Sequence, residues 1–371
     1  MNKKSPLLPV GLYDLLPMEA ERESKTVGHL LGVFSQFGYE QVSPPLLEFE
    51  TNLLAGRGAA LAGQTFRVLD PISHTMMGIR ADMTLQVARI AVSRLANISR
   101  PSRLCYAGPI LQSRSEPLRS ERQLTQAGIE LIGSDALAAD AEIIIIAAES
   151  LASIGIRDIS IDLNLPGLVG ELCPEARDNP ALQTQIKDAV MRKSTEMIAA
   201  LPIANSRLLA SLSESAGPAD KVLAAMQKLR LPHADSLRGL IAHIKKNCPN
   251  LILTIDPIEY HGFDYHDGIS FSIFAKGLRH DLGRGGRYKV EGEHATGFTI
   301  YVTHLLRLLP ETQNKKKHVL IPQDISFSNV QDLHKQGIIT LYALTNDLQK
   351  EAKSLNISAM YSTKSGKLET I

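Results

Sequence analysis

The sequence predicts an α+β fold: a largely antiparallel sheet flanked by helices, with a helical insertion and a small C-terminal α/β unit. Three observations predict it. Strand-like segments at 102–111, 123–132, 157–165, 251–255, 269–274 and 296–302 are joined partly by hairpin-like connections and mixed with helices. From Leu168 to about Cys248 helical periods dominate, punctuated by Pro174, Pro180, Pro202, Pro218 and Pro232. Beyond Lys317, strand and helix patterns alternate. The expected division is a body over 1–310, containing the insertion at 168–248, and a unit over 316–371.

The elements follow in order. Val27, Leu30, Leu31 and Phe34 share one face at i, i+3, i+4 and i+7, which predicts a helix over 18–37 stopped by Gly38. Tyr39 to Val42 reads as a strand ended by Pro44 and Pro45. A helix is expected from Met83 to Leu95, with Arg89 and Arg94 on its wet side. Asp140 to Ile154 has a nearly continuous apolar centre and reads as a buried helix. Arg157 to Leu165 alternates, with Ile159, Ile161, Leu163 and Leu165 on one side, as a half-buried strand does. Pro310 to Lys317 is polar and reads as a solvated linker. After it come strand 318–321, helix 329–336, strand 338–343, helix 347–355 and strand 358–361. A unit of this size is marginal as an independent fold.

Composition narrows the function classes. The chain has 371 residues, with 40 Lys plus Arg against 39 Asp plus Glu, so no excess charge marks it as a polyelectrolyte that coats nucleic acid. Tryptophan is absent and aromatics make up 5%, which argues against extensive base-stacking platforms. Cys105, Cys173 and Cys248 are far apart and lack zinc-site spacing, so a reducing compartment and no metal are expected. The start has no apolar stretch long enough for a signal peptide, and the most apolar run, Ile143 to Ala148, is too short to span a bilayer. A soluble cytoplasmic protein is the expectation.

Four segments stand out: Ile79 to Thr84; Tyr106 to Pro109 together with Gln126 to Gly133; Gly262 to Gly268; and Gly283 to Tyr288 followed by Ala295 to Phe298. Together they resemble histidyl-tRNA synthetase, a class II aminoacyl-tRNA synthetase. Gly11 to Pro17 resembles that family's opening, and Tyr39 to Glu50, with Pro45, its dimer-interface motif. The resemblance spans roughly residues 9 to 310. It implies a histidine pocket in which Asp82 and Thr84 take the ligand's ammonium and Gln126 contacts its polar end. Glu130 would accept from the imidazole, beside Tyr265 and His266. The Gly-rich stretch 283–286 would let backbone approach the ligand. Taken singly, Asp82 reads equally as a helix cap and Glu130 as a structural ion-pair partner. Tyr265 alone reads as a core aromatic, and Gly285 and Gly286 as a turn or bulge.

The departures from the synthetase pattern carry as much information. Adenylation needs guanidinium groups on phosphate. The family places an arginine and then a glutamate where this chain has Gln112 and Arg114. It places an arginine where His304 stands, a glycine at Tyr301, and an arginine at His261, before Gly262. Arg114, Arg119 and Arg122 read as surface charges paired with Glu116 and Glu121. The remaining C-terminal pattern is shorter than the family's anticodon-binding domain, so tRNA is not an expected partner.

A synthetase body with a broken nucleotide site and a retained amino-acid pocket resembles the regulatory subunits of ATP phosphoribosyltransferase. That resemblance implies no catalysis and no cofactor. It implies partnership with the short-form catalytic subunit at the first step of histidine biosynthesis, a homodimer through the class II interface, and L-histidine as effector. The alternatives are an active histidyl-tRNA synthetase, or a paralogue that binds RNA or protein.

Overall fold

The computed structural model describes residues 7–115, 120–259, 266–310, 317–363 and 365–371, apart from the side chains of Arg57, His266 and Asp267. The chain divides into two compact units, Met1–Leu309 and Pro310–Ile371. The larger is organised on a nine-stranded sheet. Its long strands are β1 (Ser102–Leu111), β2 (Gln123–Ile132), β3 (Ile159–Asn164), β4 (Ile252–Asp256), β5 (His266–Ala275), β6 (Gly283–Val290) and β7 (Glu293–Tyr301). The order across the sheet is Glu40–Gln41, β1, β2, β7, β6, β5, β3, β4 and Gly217–Pro218. All pairs are antiparallel except Glu40–Gln41 with β1 and β3 with β4. The strand expected over 39–42 shrinks to two residues.

Strand alternation sends the two faces of β2 to different cores. Ala127, Ile129 and Leu131 face a core shared with helix α1 (Pro17–Gln36) and helix α3 (Leu137–Ser153). Leu30 and Phe34 of α1 are fully buried there, each worth roughly 1.5–3 kcal/mol of burial. Phe34 meets Phe298 of β7 edge-to-face at 5.8 Å. Gly38, at φ +81°, ends α1 as expected. On the other face, helix α2 (Thr84–Ser93) packs Val87, Ala88 and Ala91 against Leu104, Tyr106, Tyr288 and Tyr301.

Two glycines make this second face possible. A Cβ on Gly297 of β7 would lie 1.9 Å from a carboxylate oxygen of Glu130 and 2.4 Å from the Ile129 carbonyl. A Cβ on Gly128 of β2 would lie 2.7 Å from the Tyr106 ring. In the Gly-rich stretch of β6, Gly283 abuts the Thr299 carbonyl, and Gly285 the Gly297 carbonyl and the Phe271 ring, so these two admit neighbouring strands and a ring.

Between β3 and β4 the chain is mostly helical, from Pro166–Leu172 to Ala234–Asn247, with the short strand Gly217–Pro218 as an interruption. Asn179 and Ser194 cap two of these helices, accepting from Leu182 N at 3.1 Å and Met197 N at 3.3 Å. A small antiparallel sheet, Leu47–Phe49, Met76–Ile79 and Phe66–Leu69, was not legible as strands in the sequence. The smaller unit carries a sheet in the order Ile339–Tyr342, His318–Ile321, Ala359–Ser362, Lys367–Thr370, parallel except for the last pair.

Gly297→Ala is expected to destabilise the protein by about 1–3 kcal/mol or more, because both the Glu130 carboxyl and the Ile129 backbone must shift. Urea unfolding compared with Gly63→Ala, at a turn with open space around its Cα, checks this; equal midpoints would refute the close-approach role.

Candidate functional site

The segment that leads into α2 meets the middle of the sheet at Asp82. Its Oδ1 accepts from the Thr84 backbone at 2.8 Å and its Oδ2 from Gln126 Nε2 at 2.7 Å. Asp82 therefore bonds the first turn of the helix, as a cap would, and also faces Gln126. The Gln126 carbonyl oxygen accepts from Met83 N at 3.0 Å, which fixes the amide's orientation. Gln126, Gly128 and Glu130 alternate along β2 on the face covered by α2.

Glu130 is buried, 1% exposed. Tyr106 donates to its Oε1 at 3.2 Å and Tyr288 to its Oε2 at 2.8 Å. The Thr84 hydroxyl lies 3.1 Å from the Tyr106 hydroxyl, so one chain of hydroxyls links the head of α2 to the buried carboxyl. Burial pushes the Glu130 carboxyl up to about 8, and the negative charge of Asp82 adds to the rise. Hydrogen bonds from Tyr288, Tyr106 and Thr84 pull the other way. Burial, followed by the two carboxyls, also raises the Tyr106 phenol well above its ordinary value.

Asp82, Thr84, Gln126 and Glu130 are thus brought together. Tyr265 and His261 lie outside the described residues. His266 opens β5, its backbone opposite Tyr288. Tyr106 and Tyr288 were not assigned to the site from sequence. Their signal was the facing glycines: Tyr106 pairs with Gly128, and Tyr288 reaches Glu130 past Gly297. The arrangement offers a half-buried carboxylate beside a fixed amide and a deep carboxyl beside hydroxyls. Such a site suits a ligand with a cation at one end and a hydrogen-bonding ring at the other.

Two of the positions where the resemblance places phosphate-binding arginines, Gln112 and His304, are buried. His304 is fully buried, its ring 4.4 Å from that of His280 and 5.6 Å from that of Tyr301. Gln112 is also buried, its backbone paired with Arg122. The charges in this region are not the surface pairs expected. Glu121 is buried and pairs with Arg307. Arg122 bonds the carbonyls of Gln112 and Val10 at 3.2 and 3.1 Å and lies 4.9 Å over the Phe66 ring. Arg114 is exposed; Arg119 and Glu116 lie outside the described residues.

Among the described residues no group of three or more His, Cys, Asp or Glu could hold a metal ion, and no helix is long and apolar enough to cross a membrane.

Comparison with known proteins places this geometry. The Histidyl-tRNA synthetase family model matches residues 11–305, so the class of protein is a synthetase-like body. Within that class the similar proteins share a narrower name. An ATP phosphoribosyltransferase regulatory subunit of Rhodospirillum centenum is 44% identical, covering 94% of this chain and 92% of that one. A protein of the same name from Gluconobacter oxydans is 41% identical over 97% of this chain and 96% of its own. This chain belongs to the ATP phosphoribosyltransferase regulatory subunit family, within the histidyl-tRNA synthetase fold. Among solved structures, one described as an ATP phosphoribosyltransferase regulatory subunit/histidyl-tRNA synthetase from Bacillus halodurans superposes with a TM-score of 0.81 at 20% identity. It covers 96% of this chain and 98% of that one. A histidyl-tRNA synthetase from Nostoc sp. PCC 7120 gives 0.74 at 18% identity, covering 100% and 97%. These two likenesses show the α+β class II fold.

The raised Glu130 carboxyl has a consequence for stability. Its folded value, about 8, lies above the unfolded value of roughly 4.3. Between those values the folded state holds a proton that the unfolded state does not. The contribution is complete below the unfolded value and is lost as pH rises through the folded one, by up to about 1.4 kcal/mol per pH unit. Glu130→Gln removes this dependence. The stability of the variant relative to the native chain is expected to rise between about pH 5 and about pH 8 in urea titrations; a constant difference would refute it.

Proposed function

We propose that this chain is the non-catalytic regulatory subunit of ATP phosphoribosyltransferase, at the first step of L-histidine biosynthesis. It supports the activity of a separate short-form catalytic subunit and transmits feedback inhibition by L-histidine. The observation that carries this reading is the pocket of Asp82, Thr84, Gln126 and Glu130, found in a chain whose relatives at 41–44% identity bear that name. Asp82 and Gln126 would hold the effector's ammonium and polar end, and Glu130 its imidazole. Tyr265 and His266 are proposed to complete the wall.

Adenylation is disfavoured by the residues at the phosphate-facing positions. Gln112 is neutral, and His304 stands in a stack of rings with Tyr301 and His280. His261 is proposed as the third replaced arginine. One lost charge-stabilising group in an acyl-transfer site is worth roughly 3 kcal/mol of the barrier. An enzyme short of three would adenylate little. Binding that is not followed by turnover is what a sensor needs: affinity that differs between two assembly states shifts the partner between them.

The proposed homodimer through the class II interface has support in the small sheet. Its register sets Leu47, Ile79 and Phe66 side by side, and Phe49, Met77 and Val68 beside them. Leu47, Phe49 and Val68 are 39%, 40% and 42% exposed, a contiguous apolar strip of the kind that marks an interface.

The decisive experiment adds the purified chain to the short catalytic subunit. Phosphoribosyl transfer is expected to rise on addition and to fall again with L-histidine, with Asp82→Ala weakening the inhibition at least about tenfold, as the loss of a charged hydrogen bond implies. Histidine-dependent ATP–pyrophosphate exchange by the chain alone would instead establish a working synthetase. Phe49→Asp is expected to shift the chain from dimer to monomer in sedimentation; an unchanged mass would move the interface elsewhere.

A further inference from the structure

Among the described residues, Glu130 is enclosed by groups that supply hydrogen bonds and no positive charge. Tyr106 reaches it from β1, Tyr288 from β6, and Thr84 and Asp82 from the head of α2. From β7 it meets Gly297, whose missing side chain leaves backbone against the carboxyl. Among the described side chains, the titratable groups facing it are two phenols and a second carboxylate; Tyr265 and the side chain of His266 lie outside them. An isolated negative charge in such surroundings is expensive. The tyrosine hydroxyls favour the ionised form, but the enclosure and the neighbouring Asp82 charge outweigh them and hold the acid neutral.

An imidazole entering this pocket brings one nitrogen that donates and one that accepts, or two that donate when it is charged. We infer that Glu130 and the ligand's ring together carry one proton beyond that of a neutral imidazole, so that occupancy of the pocket is coupled to pH. The inference rests on the reading of L-histidine as the effector. The shared proton sits on the carboxyl, which then donates to the bare ring nitrogen, or on the ring, which then donates to the carboxylate. The two forms differ only by transfer of that proton, and both leave the buried pair without net charge. Glu130 is in this sense a specificity-determining residue: it selects a partner that can take up or give back one proton at near-neutral pH.

The coupling has a definite shape. Between the ordinary imidazole value of roughly 6.5 and the Glu130 value of about 8, the empty pocket holds the proton and the free ring does not. Binding there exchanges none, and affinity is flat. Below that window the ring arrives with its own proton and one must leave, so affinity falls by up to about tenfold per pH unit. Above it Glu130 is ionised when empty and binding takes a proton up, with a fall of the same size.

The test is calorimetry of L-histidine with the full chain in two buffers of different ionisation enthalpy, at about pH 7.2 and about pH 8.5. The expected result is near-zero proton exchange at the lower pH and uptake of most of a proton at the higher. The ligand's α-ammonium also titrates at alkaline pH, so Glu130→Gln supplies the baseline and is expected to lack the additional uptake. Tyr288→Phe removes a donor to the carboxylate and is expected to move the alkaline limb of affinity to higher pH without abolishing it. Histidine binding with proton release at about pH 7.2, or with the same proton exchange in the Gln variant, would overturn the coupling and leave the effector reading standing. Absence of binding by the chain, alone and in complex with the catalytic subunit, would overturn both.

Discussion

A carboxyl buried in the middle of a sheet is the constraint around which the larger unit is arranged. Glu130 cannot reach water and finds no room beside an ordinary β residue on its neighbouring strand. Gly297 therefore stands opposite it, and Gly128, two residues along β2, admits the Tyr106 ring. The phenols of Tyr106 and Tyr288 come from strands on opposite sides of β2 and meet the two carboxyl oxygens. Helix α2 then closes the same face with apolar side chains, and its first turn is held by Asp82. Sheet register, glycine placement and helix docking thus serve one polar group, which a core built only for stability would replace with an aliphatic side chain.

Much of this was legible in the sequence, for reasons that can be named. Long strands with strict alternation, such as β3, and helices with a clear apolar stripe, such as α1, have periods that survive without tertiary context. The wholly apolar centre of α3 was readable by its length. The small sheet at residues 47–79 was not. Its strands are three or four residues long, too short to establish a period, and only their mutual pairing defines them. The last strand of the smaller unit, Lys367–Thr370, was hidden by polarity because it is an edge. Glycine advertises close approach without saying what approaches; at Gly283 and Gly285 the neighbouring strand does.

The candidate site shows the same division. Asp82, Thr84, Gln126 and Glu130 were identifiable through the resemblance to histidyl-tRNA synthetase, since taken singly Asp82 reads equally as a helix cap and Glu130 as an ion-pair partner. Tyr106 and Tyr288 escaped because a tyrosine in a strand is ordinary. Their role appears only when the register places their hydroxyls over Glu130. Glu121 and Arg307 were missed because they lie 186 positions apart in the chain, a separation that only the fold closes.

The contrast between the two halves of the ancestral site bears on function more than either half does. Around Gln112 and His304 the chain has its own rings, backbone bonds and an ion pair between buried Glu121 and half-exposed Arg307, arrangements that stabilise without needing a ligand. Around Glu130 it has kept an acid whose burial raises its proton affinity by several units and so weakens the fold as pH rises. A glutamine at position 130 would fill nearly the same volume without the buried acid, so the acid is not there for packing alone. Under the proposed function, what it serves is recognition of the effector's ring. A pocket that recognises and does not react is useful only through what it changes elsewhere, and in a chain of this family that is the activity of a partner subunit.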